Sequence, residues 1–139
     1  MSKSKKASAI LLVIAVFLSA FSIGAFAANN HDTGYSFTVG QGWQARTEYR
    51  EKTNNTSVYV KSLSGPTITY FYVLAPNGSN QNSGKGIAPI SPGQERRIFN
   101  HVYENGWSTC ALASINNPYS GQSTGVWSPD SVGKAPHAN

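Results

Sequence analysis

The chain has 139 residues and a formal charge of +5, yet three of its 11 basic residues, Lys3, Lys5 and Lys6, lie in an N-terminal stretch with the form of an export signal. Residues 28–139 carry eight basic against six acidic groups, and a net charge near +2 gives too weak a field to mark a nucleic-acid partner. Their 112 residues suit one small core, in which 18 Leu, Ile, Val and Phe residues are joined by ten Tyr and Trp, without the high net charge of a disordered chain.

Residues 1–6 form a basic n-region, residues 9–18 an unbroken apolar run, and Ala25-Phe26-Ala27 puts small side chains at the two positions a signal peptidase reads. The pattern predicts a signal peptide over residues 1–27, cleavage after Ala27 and an extracellular product. An uncleaved anchor over residues 7–27 is the competing reading, since that length just spans a bilayer. No cysteine directly follows the apolar run, so no lipid anchor is expected, and the membrane is met only through the signal before cleavage.

Residues 28–34 read as a flexible N-terminus and residues 35–131 as the folded domain. Tyr35, Phe37 and Val39 alternate on one face of a strand, and Gly40-Gln41-Gly42 follows as a turn or bulge. A strand over residues 43–52 comes next, with charges of alternating sign from Arg46 to Lys52 as on a solvated face. In residues 57–63, Val58 and Val60 fall on one side and Tyr59, Lys61 and Leu63 on the other, before Ser64-Gly65-Pro66 ends the run. Residues 67–74 are apolar on both faces, which predicts a central strand. Residues 76–86 are almost wholly Asn, Gly, Ser, Gln and Lys and read as an exposed, mobile loop.

Within residues 97–105, Ile98, Phe99, Val102 and Tyr103 fit one side of a short helix stopped by Gly106. Residues 107–115 then form a strand whose Ala111 and Ala113 let an opposing layer approach closely, and Asn116-Asn117-Pro118 breaks it. A last short strand covers residues 125–128, with Trp127 expected in the core, and residues 132–139 are expected to be a disordered tail. The fold class is therefore all-β, a small antiparallel two-sheet sandwich with one short helical crossover, and a small open barrel is the alternative.

Cys110 is the sole cysteine, so no internal disulfide can form, and its setting in Thr109-Cys110-Ala111-Leu112 marks it as a buried, unreactive thiol. His31, His101 and His137 have no ligand partner at a recognised spacing, and no cofactor is expected. Pairing Cys110 with His101 as nucleophile and base lacks an orienting group. Among the carboxylates, Glu48 and Glu51 are three apart and point to opposite faces of a strand, a poor geometry for a glycosidase pair. An enzyme is therefore not expected. The aromatics are the better candidates: Trp43, Tyr49, Tyr59, Tyr70 and Tyr72 can stack on sugars or anchor a protein, unless they serve as cross-strand packing pairs. Arg96 and Arg97 can meet an anionic envelope polymer.

The Tyr35-Ser36-Phe37 start, the run Thr56-Ser57-Val58-Tyr59-Val60-Lys61, the block Tyr103-Glu104-Asn105-Gly106-Trp107 and the closing Gly125-Val126-Trp127-Ser128-Pro129-Asp130-Ser131 resemble domain-of-unknown-function family 2712. That likeness implies a small exported β protein of Gram-positive bacteria and carries over no catalytic residue. In composition the chain is also similar to lactococcin-type exported bacteriocins, which are small, disulfide-free and rich in Gly, Ser, Asn and Tyr. The expected function is a secreted, non-enzymatic binding protein at the cell envelope, bacteriocin-like, with a cell-wall polymer or envelope protein as partner. The alternative is a secreted carbohydrate-binding module using exposed Tyr and Trp.

Overall fold

The computed structural model describes residues 28–82 and 84–139, so the predicted signal peptide lies outside the described residues. Among these, nine strands form: β1 (Thr33–Val39), β2 (Gln44–Arg46), β3 (Arg50–Glu51), β4 (Val58–Ser64), β5 (Thr69–Leu74), β6 (Ala88–Ile90), β7 (Glu95–Ile98), β8 (Thr109–Ile115) and β9 (Gly121–Ser128). They build two antiparallel sheets, ordered β1-β9-β4-β7 and β2-β8-β5-β6, with β3 pairing β8 beyond β2. This is the all-β two-sheet sandwich that the alternating segments predict, with β5 between two neighbours as its two apolar faces require.

Period-two alternation decides which side chains meet between the sheets. Tyr35, Phe37 and Val39 of β1, Val58 and Val60 of β4 and Trp127 of β9 face Phe71 and Val73 of β5 and Cys110 and Leu112 of β8. Trp127 has no exposed surface, as its place in the core demands. The Tyr35 ring lies 5.0 Å from Phe37 and 5.5 Å, edge-on, from Phe71, so aromatic packing supplies the bulk that few aliphatic residues leave wanting. On the outer side of β8, Ala111 and Ala113 are buried as well. Tyr49 crosses β8 from the β3 side to donate its hydroxyl to the Ala75 carbonyl at 3.2 Å, with the Arg46 guanidinium 4.8 Å from its ring. The layer that the two alanines admit is thus a side chain and not a third sheet.

The last strand begins at Gly121 and not at residue 125, and Thr33 and Gly34 of the expected flexible N-terminus pair with Trp127 and Val126 in β1; four larger expectations also change. The strand over residues 43–52 divides into β2 and β3 because the Thr47 hydroxyl accepts the Leu112 amide at 3.0 Å in place of a ladder carbonyl, and the chain bulges outward. No helix forms among the described residues. Ile98 instead pairs with Val58 in β7, and residues 101–107 make one turn that ends in a Schellman motif, with Trp107 N–H to the Val102 carbonyl, Gly106 N–H to the Tyr103 carbonyl and Gly106 at φ +83°. Within the 76–86 loop, Gln81 and Asn82 are buried. The Asn82 side chain accepts the Val73 amide at 2.9 Å and donates to the Phe71 carbonyl at 3.1 Å, extending the edge of β5 as a peptide would. Finally, the end of the expected disordered tail runs parallel to β7: Arg97 N–H reaches the Pro136 carbonyl at 2.9 Å, Ala138 N–H the Arg97 carbonyl at 2.8 Å, and the Asn139 amide bonds Phe99 on both backbone atoms.

Candidate functional site

On one side the two sheets are joined by the 91–94 turn between β6 and β7; on the other, the β1 edge and the β2–β3 edge diverge and leave a groove. Its first part, about 520 Å³, is lined by Thr33, Tyr35 and Phe37 of β1, by Arg46, Glu48 and Arg50 opposite, and by Trp127. A second part of about 570 Å³ continues past Thr33 and Arg50 to Asn29, His31, Glu51 and Thr53.

Arg50 stands where the two parts meet. Its guanidinium donates to Thr33 Oγ1 and the Trp127 carbonyl, both at 3.0 Å, and to the His31 carbonyl, and it lies 5.1 Å from the Trp127 ring. All three acceptors are neutral oxygens. Burial lowers the Arg50 pKa, opposed by Cys110 and Asp32, yet a guanidinium remains charged at any physiological pH. The groove floor therefore holds a fixed positive charge.

Beneath it lies a buried ion pair. Lys52 Nζ donates to Asp130 Oδ1 at 2.7 Å, to the Pro129 carbonyl at 2.9 Å and to the Thr56 carbonyl, which uses all three ammonium hydrogens. Asp130 Oδ2 accepts Asn29 N–H at 2.8 Å, Thr53 N–H at 3.0 Å and the Thr53 hydroxyl at 2.7 Å. Burial acts to raise the Asp130 pKa, but Lys52, Thr53 and Asn29 together outweigh it and hold the carboxyl below its ordinary value. These residues tie the strand ends together and have no capacity left for proton transfer to a ligand. Cys110 is fully buried; burial pushes its thiol up to about 12, Asp130 acting the same way and Lys52 and Arg50 against it, so it is a poor nucleophile.

The residues singled out from sequence fall on different surfaces. Tyr70 and Tyr72 alternate with buried residues along β5, and Tyr72, Ala113 and Arg46 stand in one cross-strand row, so these tyrosines and the bridging Tyr49 occupy the outer face of the second sheet. Tyr59 and Arg97 are cross-strand neighbours on the outer face of the first sheet. There the Tyr59 hydroxyl donates to Glu95, and burial first, then that carboxylate, raises its pKa. Arg96 faces Val60 and so points to the other side of β7. Trp43 projects from the turn before β2 and is 58% exposed. His31 lines the groove, His101 stacks edge-on at 5.1 Å from Phe99, and His137 bonds the Ser57 hydroxyl at 3.0 Å. Among the described residues, no group of three His, Cys, Asp or Glu side chains could hold a metal ion.

Sequence reasoning passed over Arg50 and Glu48 as members of a site. The alternating charges from Arg46 to Lys52 were the available signal, but they mark a polar strand without telling that its edge borders a cleft.

The order of these parts along the chain, from the 35–39 strand to the Asp130 carboxylate, coincides with a family model described as a protein of unknown function, DUF2712, which matches residues 23–131. The chain belongs to that family. A search of curated proteins gave no match. The DUF2712 match takes in the groove, the Lys52–Asp130 pair and all nine strands, and stops before the 135–139 segment that lies beside β7.

Proposed function

We propose that this DUF2712 protein is an exported, non-enzymatic binding protein that acts at the bacterial cell envelope in a bacteriocin-like manner. The observation that supports this reading most is the groove: a preformed cleft beside the outer edge of β1, with Arg50 at its floor and Arg46, stacked on Tyr49, at its outer rim. An extended segment of a cell-wall polymer or envelope protein can lie along such an edge, with anionic groups drawn to the guanidinium charges. The buried Lys52–Asp130 pair beneath the floor is satisfied within the fold and is not an acid–base couple for a ligand.

Co-sedimentation of the domain with washed Gram-positive cell walls tests this. The parent is expected to pellet with the walls, more weakly at high salt, and Arg46→Glu, at an exposed position, to weaken retention about tenfold while the far-UV spectrum stays β-type. Retention unaffected by Arg46→Glu would remove the groove from the account.

A further inference from the structure

At one end of the sandwich four turns gather: 40–43 after β1, 65–68 after β4, 91–94 after β6 and 116–120 after β8. The register puts them on the same end, since Val39 faces Gly121, Gln44 faces Ile115 and Thr69 faces Ile90. None of these turns contains Asp, Glu, Lys, Arg or His. In place of charge they present rings: Trp43 is 58% exposed and Tyr119 43%.

The turns that carry the two rings are braced. Trp43 N–H donates to the Gly40 carbonyl at 3.1 Å, its carbonyl accepts Asn116 N–H at 2.9 Å, and Gly42 N–H donates to Asn116 Oδ1 at 2.9 Å. Asn117, fully buried, accepts the Tyr70 amide at 2.8 Å and donates to the carbonyls of Ile68 at 3.0 Å and Tyr119 at 2.8 Å, which fastens the 65–68 turn to the 116–120 turn. The Trp43 and Tyr119 turns also meet directly, because a Cβ on Gly40 would stand 2.9 Å from Ser120 Oγ and 3.4 Å from the Trp43 ring. Large apolar faces held out in water by a rigid backbone give up burial that the domain needs, and a binding surface is what such an arrangement serves.

The surrounding chemistry specifies the ligand class. Gln41, Gln44, Asn116 and Ser120 are exposed beside the rings and offer neutral amides and hydroxyls. The four turns themselves offer a charged ligand no counter-charge. A sugar has an apolar C–H face to lay on an aromatic ring and uncharged hydroxyls around its rim.

We propose that this charge-free loop end binds an uncharged polysaccharide, with Trp43 and Tyr119 stacking on sugar rings and the neighbouring amides and hydroxyls bonding to the sugar hydroxyls. The proposal rests on the binding-protein reading above but uses a surface separate from the groove. Affinity electrophoresis and pull-down of the domain with chitin, cellulose and amylose, beside phosphatidylcholine vesicles, test it. Expected is retention on at least one glycan, insensitive to salt because no ion pair forms, and weakened about tenfold or more by Trp43→Ala and by Tyr119→Ala. Both variants should keep the parent's urea midpoint, and Arg46→Glu should bind the glycan as the parent does. Retention on none of the glycans, binding to the vesicles in their place, or glycan binding that survives Trp43→Ala overturns the proposal. Cell-wall retention that Arg46→Glu abolishes, beside glycan binding that Trp43→Ala leaves intact, overturns this site alone, whereas glycan binding lost in Trp43→Ala, beside wall retention that Arg46→Glu leaves intact, overturns the groove and keeps the loop end.

Discussion

A methyl group at position 125 would stand 2.2 Å from the Lys61 carbonyl oxygen and 2.7 Å from the Tyr35 ring and hydroxyl. Tyr35 is the cross-strand partner of Gly125 and lays its ring over the gap, while the β4–β9 register shifts between Ser62 and Ser64, just beyond Gly125. Gly125→Ala should therefore lower stability by at least about 2 kcal/mol, read as a urea midpoint shift; a midpoint equal to the parent's would mean that the two strands can separate freely there. Asp130 gives a pH-dependent counterpart. Its folded pKa lies below the ordinary value, so its contribution is complete above about pH 4, the unfolded range, and is lost as pH falls through the folded pKa. Asp130→Asn strands a buried ammonium and should cost about 3 to 5 kcal/mol at neutral pH, with parent and variant converging in acid. Urea midpoints that stay parallel from neutral to acid pH would show that this pair is not the source of acid sensitivity.

β7 is an outer strand of its sheet, and an outer strand is a template for another chain. Here the 135–139 segment occupies it, with Arg97 bonded on both backbone atoms and its Nε donating to the Ala135 carbonyl. Removing residues 135–139 should cost about 1 to 2 kcal/mol and produce concentration-dependent self-association by size-exclusion chromatography. A truncated chain that elutes as the parent does at every concentration would make the contact incidental. The same elements show what sequence can convey. β1, β4, β5 and β8 were legible because an alternating apolar face leaves a period of two. The β2–β3 break was hidden because a threonine whose hydroxyl replaces a backbone carbonyl looks like any strand threonine. The 97–105 helix failed because its periodicity rested on Ile98, which long-range pairing with Val58 claims for a strand. The ordered end of the chain was hidden since its bonds are to a strand some 40 residues away.

Across the whole molecule, the candidate surfaces were legible only in part. Trp43 stood out by residue type, but its companion Tyr119 follows an Asn-Asn-Pro turn that reads as ordinary punctuation, and only the strand register and the meeting of the two turns at Gly40 bring both to one end of the sandwich. The groove depends on where two sheet edges part, a property of strand order that no local pattern encodes. The aromatic candidates on β4 and β5 were right in type for either role, and the structure distributes them over opposite outer faces.

Asn29 is bonded to Asp130, and Asn139 to Phe99, so both extremities of the described chain leave the sandwich at the pole opposite Trp43. A linker added at either extremity would serve as a leash from behind. Immobilised on a sensor or a bead through such a leash, the domain would stand with its Trp43 pole facing the solution, like a stamp held by its handle.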